Sequence, residues 1–94
     1  MALGLLTLVI QIPGCSSLKE KRSRLKPLLA RLHREFNISV AEIDHQDHWQ
    51  EAVIACVMVS NDNGFTTRSL QQIVRWIEST WPDIEILTDH IELF

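Results

Sequence analysis

The chain has 94 residues, a formal charge of −3 and 46% hydrophobic residues including three Trp; that length fits one domain over residues 1–94, and that composition excludes a disordered tail. Two cysteines are too few for a disulfide scaffold and lie at no short metal-type spacing, so a reducing, cytoplasmic setting is the expectation, with Cys56 packing as a small hydrophobe. Residues 1–48 carry +2 and residues 49–94 carry −5, which implies no attraction of the whole molecule to nucleic acid and leaves room for a local basic patch.

The first element is Leu3 to Ile12, with Leu6, Leu8, Ile10 and Ile12 on one face and Leu5, Thr7, Val9 and Gln11 on the other. One wholly apolar face and one mixed face describe a central strand covered by helices on its first side. Pro13 cannot extend a ladder, and Gly14 permits the turn that follows. Ile12-Pro13-Gly14-Cys15 superficially resembles an acylation site after an apolar segment. Against that reading, no Lys or Arg precedes the run and its apolar length is too short to span a bilayer, so a strand and no membrane segment are expected.

Ser17 and Glu20 form a capping-box pair, in which the Ser oxygen accepts a helix N–H and the Glu returns to the Ser backbone. The helix they open runs from Leu18 to about Phe36 on an apolar stripe of Leu18, Leu25, Leu28, Leu29, Leu32 and Phe36, with Asn37 placed to cap it. Pro27 falls on the outer face, where it either curves this helix or splits it into two. Ile38 to Ile43 reads as a short strand and Trp49 to Val59 as a longer one with both alternating sets largely apolar, again as in an inner strand. Two inner strands with a second apolar face point to a homo-oligomer joined through the open side of the sheet; the alternative is that neighbouring side chains and loops cover it.

Ser60 to Gly64 is a loop and cap segment. A second helix continues to about Thr80 with Leu70, Ile73, Val74, Ile77 and Trp81 inward and Phe65, Gln72 and Trp76 on the outer side, and Pro82 stops it. Ile84 to Phe94 supplies a last strand, bent near Thr88-Asp89, in which Glu85, Asp89 and Glu92 guard an edge. The order βαββαβ predicts an α/β (α+β) ferredoxin-like sandwich: a four-stranded antiparallel sheet, two helices on one face, and strands 1 and 3 in the middle.

The first helix is strongly basic, with Lys19, Lys21, Arg22, Arg24, Lys26, Arg31 and Arg34. Such a helix can lie against RNA phosphates, which position without reading sequence. The competing reading is a solvated face relieved by Glu20 and Glu35: no aromatic sits among these charges, no Gly-rich phosphate loop is present, and strands 1 and 3 lack base-stacking aromatics. Glu42, Asp44, His45, Asp47 and His48 form the densest group capable of chemistry, and Asp44, His45, Asp47 and His48 are weak candidates for Zn or Mn. Their spacing fixes no tetrahedral site, and the carboxylates serve equally well as turn caps with Trp49 as an anchor. Cys15 follows Gly14 just before a helix, where its thiol pKa would fall, yet no base is identifiable beside it; the serines have no nucleophile context either. No catalytic residue and no cofactor are assigned.

Gly4-Leu5-Leu6, Ser17 to Arg22, Phe36 to Glu42, Asp47 to Gln50 and Val59 to Asp62 together resemble the DUF503 family of small bacterial YlxP-like proteins across most of the chain, with Pro27 as the departure. The resemblance implies a ferredoxin-like fold and supplies no enzyme activity, cofactor or catalytic residue. Genes of that family often lie near those for a translation initiation factor and a ribosome-binding factor, which implies ribosome- or RNA-linked work. It marks Lys19, Lys21, Arg22, Glu42, Asp47, Trp49, Asn61 and Asp62 as candidates for a shared surface. The expectation is therefore a non-enzymatic adaptor or assembly factor contacting ribosomal RNA or a ribosomal protein. Lys19, Lys21, Arg22, Lys26 and Arg31 would meet phosphates, and Glu42, Asp47 and Trp49 would add partner contacts. The alternative is a self-associating small-ligand or metal-binding module.

Overall fold

The period-two pattern of the opening run becomes strand β1 (Ala2–Gln11) in a computed structural model that describes residues 1–44 and 48–94, the side chain of Asp44 excepted. It is followed by α1 (Leu18–Glu35), β2 (Ser39–Asp44), β3 (Glu51–Ser60), α2 (Asn63–Thr80) and β4 (Glu85–Leu93). The strands form one antiparallel sheet in the order β2-β3-β1-β4, so the two most apolar strands hold the inner positions. On β1 and β3 the core residues are Leu6, Leu8, Ile10, Ala52, Ile54, Cys56 and Met58, all on one face. They pack with Leu25, Leu28 and Leu32 of α1 and Leu70, Ile73 and Ile77 of α2, so both helices cover the same side. This is the ferredoxin-like βαββαβ sandwich. Burial pushes the Cys56 thiol up to about 12, the behaviour of a core hydrophobe.

Local chemistry sets where each helix begins and ends. Ser17 Oγ accepts the Glu20 N–H at 3.1 Å, as a cap should. Glu20 Oε2 returns one residue earlier than a capping box requires, accepting the N–H and the hydroxyl of Ser16, each at 2.9 Å. Those two bonds hold the Glu20 carboxyl below its ordinary value. Helix α1 passes through Pro27 unbroken; the residue is exposed, and the backbone bond it forfeits lies where water can replace it. The helix closes at Phe36, whose N–H reaches the Leu32 carbonyl, one residue before the expected Asn37 cap. Asp62 caps α2 by accepting the Phe65 N–H at 2.7 Å. At Gly4, α2 approaches so closely that a Cβ would lie 2.5 Å from Thr66 Cγ2 and 2.8 Å from Leu70 Cδ1. Gly14 adopts φ +76, the left-handed conformation that the turn after β1 demands.

One aromatic placement differs from the helical-wheel expectation. Trp76 is not an outer residue: it meets Phe36 edge-on, with ring centroids 5.9 Å apart, and lies 6.2 Å from Trp81. A wheel drawn for one helix cannot register that α1 supplies a neighbour on that flank. Phe65 alone of the pair stays exposed. The bend in β4 falls at Leu87, between Ile86 opposite Ile10 and Thr88 opposite Val9.

The second face of the sheet carries Leu3, Leu5, Thr7 and Val9 of β1 opposite Val59, Val57, Ala55 and Val53 of β3. Among the described residues no helix or strand lies over it, and Val57 and Val59 are 36% and 55% exposed.

Candidate nucleic-acid interface

Packing sorts the basic residues of α1 into two groups. Lys21 is 1% exposed, and its Nζ sits 2.8 Å from Glu42 Oε2. The pair lies under α1 because Glu42 stands opposite Ile54 on the helix-facing side of β2. Arg24 donates to the carbonyl oxygens of Pro13 at 2.7 Å and Asp83 at 2.9 Å, tying the turn after β1 to the loop before β4. Arg31 stacks its guanidinium 5.4 Å from the Trp76 ring centroid and 6.0 Å from that of Trp81, with Glu35 3.7 Å away. Lys21, expected from sequence to meet phosphates, is thus engaged inside the fold with Glu42, while Arg31 rests against the two indoles with 37% of its side chain accessible.

The remaining cations share the outer side. Lys19, Arg22 and Lys26 are exposed, and the 100° helical step places them within one narrow arc together with exposed His33. From Lys19 to His33 the arc extends about 21 Å along the helix at 1.5 Å per residue. Among the described residues no ion pair involves Lys19, Arg22 or Lys26. Beneath it, Leu25, Leu29 and Glu42 line a groove of about 280 Å³ rimmed by Arg22 and Lys26.

Trp49, 53% exposed, lines a recess with Gln11, His48, Gln50 and Glu51 where β1 ends and β3 begins. Its neighbour Gln50 donates from Nε2 to the Cys15 carbonyl at 3.3 Å, and the Gln50 carbonyl accepts the Ile12 N–H at 2.7 Å. These bonds fasten the segment before β3 against the entry to α1. Sequence order hides this, because 30 residues separate Lys19 from Trp49. Cations and an accessible indole are the elements of a single-strand RNA contact, charge for phosphate and ring for base.

The other candidates fare differently. His45, Asp47 and the side chain of Asp44 lie outside the described residues, so both the metal reading and the Asp47 contact rest there. His48 is exposed, and no group of three or more His, Cys, Asp or Glu able to hold a metal occurs among the described residues. Cys15 is buried and its thiol donates to the Ser17 carbonyl at 3.4 Å. Asp62 acts as the cap of α2, and Asn61 is exposed beside it. A feature absent from the sequence reading is a cleft of about 400 Å³ between the end of α1 and the start of α2, lined by Phe36, Ile38, Met58, Phe65 and Ile73 with Asn61 at its rim. No helix among the described residues is long and apolar enough to cross a membrane.

Comparison with known proteins agrees with this architecture. Residues 3–91 match the family described as "Protein of unknown function (DUF503)". The uncharacterized protein YlxP of Bacillus subtilis (strain 168) is 40% identical over 83 residues, covering 88% of this chain and 89% of that protein. Among solved structures, the de novo designed protein Foldit4 superposes with a TM-score of 0.53 at 14% identity, over 100% of this chain and 97% of the design. A mutant of SnoaB, a cofactor-independent oxygenase from Streptomyces nogalater, gives 0.51 at 14% identity, over 99% of this chain and 90% of its own. At that identity the two structures speak for the fold alone.

Proposed function

The chain belongs to the DUF503 family, and we propose that it is a non-enzymatic cytoplasmic adaptor or assembly factor that contacts ribosomal RNA through the outer side of α1. One observation carries the reading: Lys19, Arg22 and Lys26 form an exposed ridge with no acid paired to it among the described residues, and the neighbour of exposed Trp49, Gln50, is bonded to the entry of α1. Phosphates would take the ridge and an unstacked base the indole. The net charge of −3 keeps such contact local, since the rest of the surface repels a polyanion. Self-association through the open sheet face belongs to the same proposal. Binding of the untagged protein to ribosomal particles and to structured ribosomal RNA, measured at 50 and about 200 mM salt, tests it. Affinity that falls as salt rises supports RNA contact; salt-independent affinity, or none, contradicts it. Capture of ribosomal particles that survives nuclease treatment would make a ribosomal protein the partner instead.

A second reading, a small-ligand module, has its own observation in the cleft of about 400 Å³ between the helices, which is within the usual range of ligand pockets. It predicts saturable binding of a neutral apolar probe that Phe65→Asp abolishes.

A further inference from the structure

We infer that the open sheet face is the seat of a second copy of this chain, stacked sheet against sheet about a two-fold axis. This deepens the self-association proposed above and is independent of the RNA contact. Along it, three of four successive β1–β3 rungs are wholly apolar: Leu3 with Val59, Leu5 with Val57, and Val9 with Val53, of which Val57 and Val59 are exposed and Val53 is already buried within one chain. The fourth, Thr7 with Ala55, is small. Phe94 extends the apolar end beside Leu3 and is 68% exposed. Polar residues stand at the margins: Gln11 with Glu51 and Glu85 at one end, and Glu92 and His90 along β4, 3.4 Å apart. An apolar centre with a polar rim is the anatomy of a protein–protein interface.

Size and charge choose the occupant. A strand of ten residues spans about 33 Å and four strands about 19 Å, a face of roughly 600 Å² in projection and more in side-chain relief. That is close to the roughly 800 Å² per partner of a stable interface. The paired residues of this face include no Lys or Arg, and its charged rim is acidic, so anionic lipid and RNA are disfavoured. The cleft between the helices opens elsewhere, and the recess bordering Val57 and Val59 lies at the β2 edge, so the exposed β1–β3 strip can meet the same strip of a second copy about a two-fold axis. Stacking would place the two helix layers on opposite outer surfaces, so each dimer would present two Lys19–Lys26 ridges facing away from each other.

The test is the mass of the untagged full chain by sedimentation velocity or light scattering across a concentration series. Twice 10.8 kDa is expected, with Val57→Lys and Val59→Lys each raising the dissociation constant about 100-fold or more while the far-UV spectrum is kept. Phe65→Asp, on the helix side, and the Lys19→Ala/Arg22→Ala/Lys26→Ala variant leave the mass unchanged. Should a lysine variant not fold, a paramagnetic solvent probe on the unmodified protein decides. Val57 and Val59 methyls shielded at high concentration and relaxed on dilution support the interface; methyls relaxed throughout overturn it. A single-chain mass at millimolar concentration, or a dimer indifferent to both lysines and broken by Phe65→Asp, also overturns it.

Discussion

The inward and outward flanks of α1 carry the same residue types and have opposite fates. Lys21, Arg24 and Arg31 are bound to Glu42, to two backbone carbonyls and to two indoles, whereas Lys19, Arg22 and Lys26 face solvent. The difference teaches that six of the seven basic residues of this helix fall into two structural systems and not one patch, with exposed Arg34 outside both. The inner cations fix α1 to β2, to the loop before β4 and to α2, whereas the outer ones stand in solvent.

Removing the inner ammonium should show the largest effect. Lys21→Met leaves the Glu42 carboxylate without its buried counter-charge, and one-sided loss of such a pair costs about 3–5 kcal/mol when burial is complete. With the Glu42 side chain 19% accessible, about 2–3 kcal/mol is expected, a fall in Tm on the order of 10–20 °C. Adding Glu42→Leu should recover most of it. A Lys21→Met protein as stable as the original would dissolve the distinction between the two flanks. Next in size, Arg24→Ala removes two charge-assisted bonds that are partly screened by water; about 1 kcal/mol by chemical denaturation is expected. Arg22→Ala, on the outer flank, should change stability by under about 0.5 kcal/mol in the same experiment.

The elements and their order were legible because strand and helix periods are local properties. Leu3 to Ile12 and Trp49 to Val59 announced inner strands, and the register that pairs them follows. What sequence could not show was contact across distance. Lys21 and Glu42 are 21 residues apart, and only the docking of α1 over β2 reveals that a residue resembling a surface cation is a buried one. Gln50, beside Trp49, is bonded to Cys15 and Ile12 at the entry to α1, a contact that no helical wheel includes. Trp76 turned from outer to partly buried for the same reason: its neighbours Arg31 and Phe36 belong to α1 and its cap.

The smallest expected effect sharpens the comparison at the first turn of α1. Glu20 is held below its ordinary value chiefly by the Ser16 N–H and hydroxyl. A carboxyl lowered on folding contributes stability above its unfolded value near 4.5, and that contribution disappears as pH falls through the folded value. The stability gap between the original protein and Glu20→Gln should therefore narrow on acidification below pH 4.5. A gap constant from neutral pH to pH 3 would contradict the assignment.

The salt dependence of RNA binding, compared between the unmodified chain and the Lys19→Ala/Arg22→Ala/Lys26→Ala variant, is the most direct test of the central claim. Three phosphate contacts predict a slope of log affinity against log salt of about −2 to −3 for the unmodified chain, falling toward zero in the variant at equal thermal stability. Equal slopes for the two proteins would contradict it.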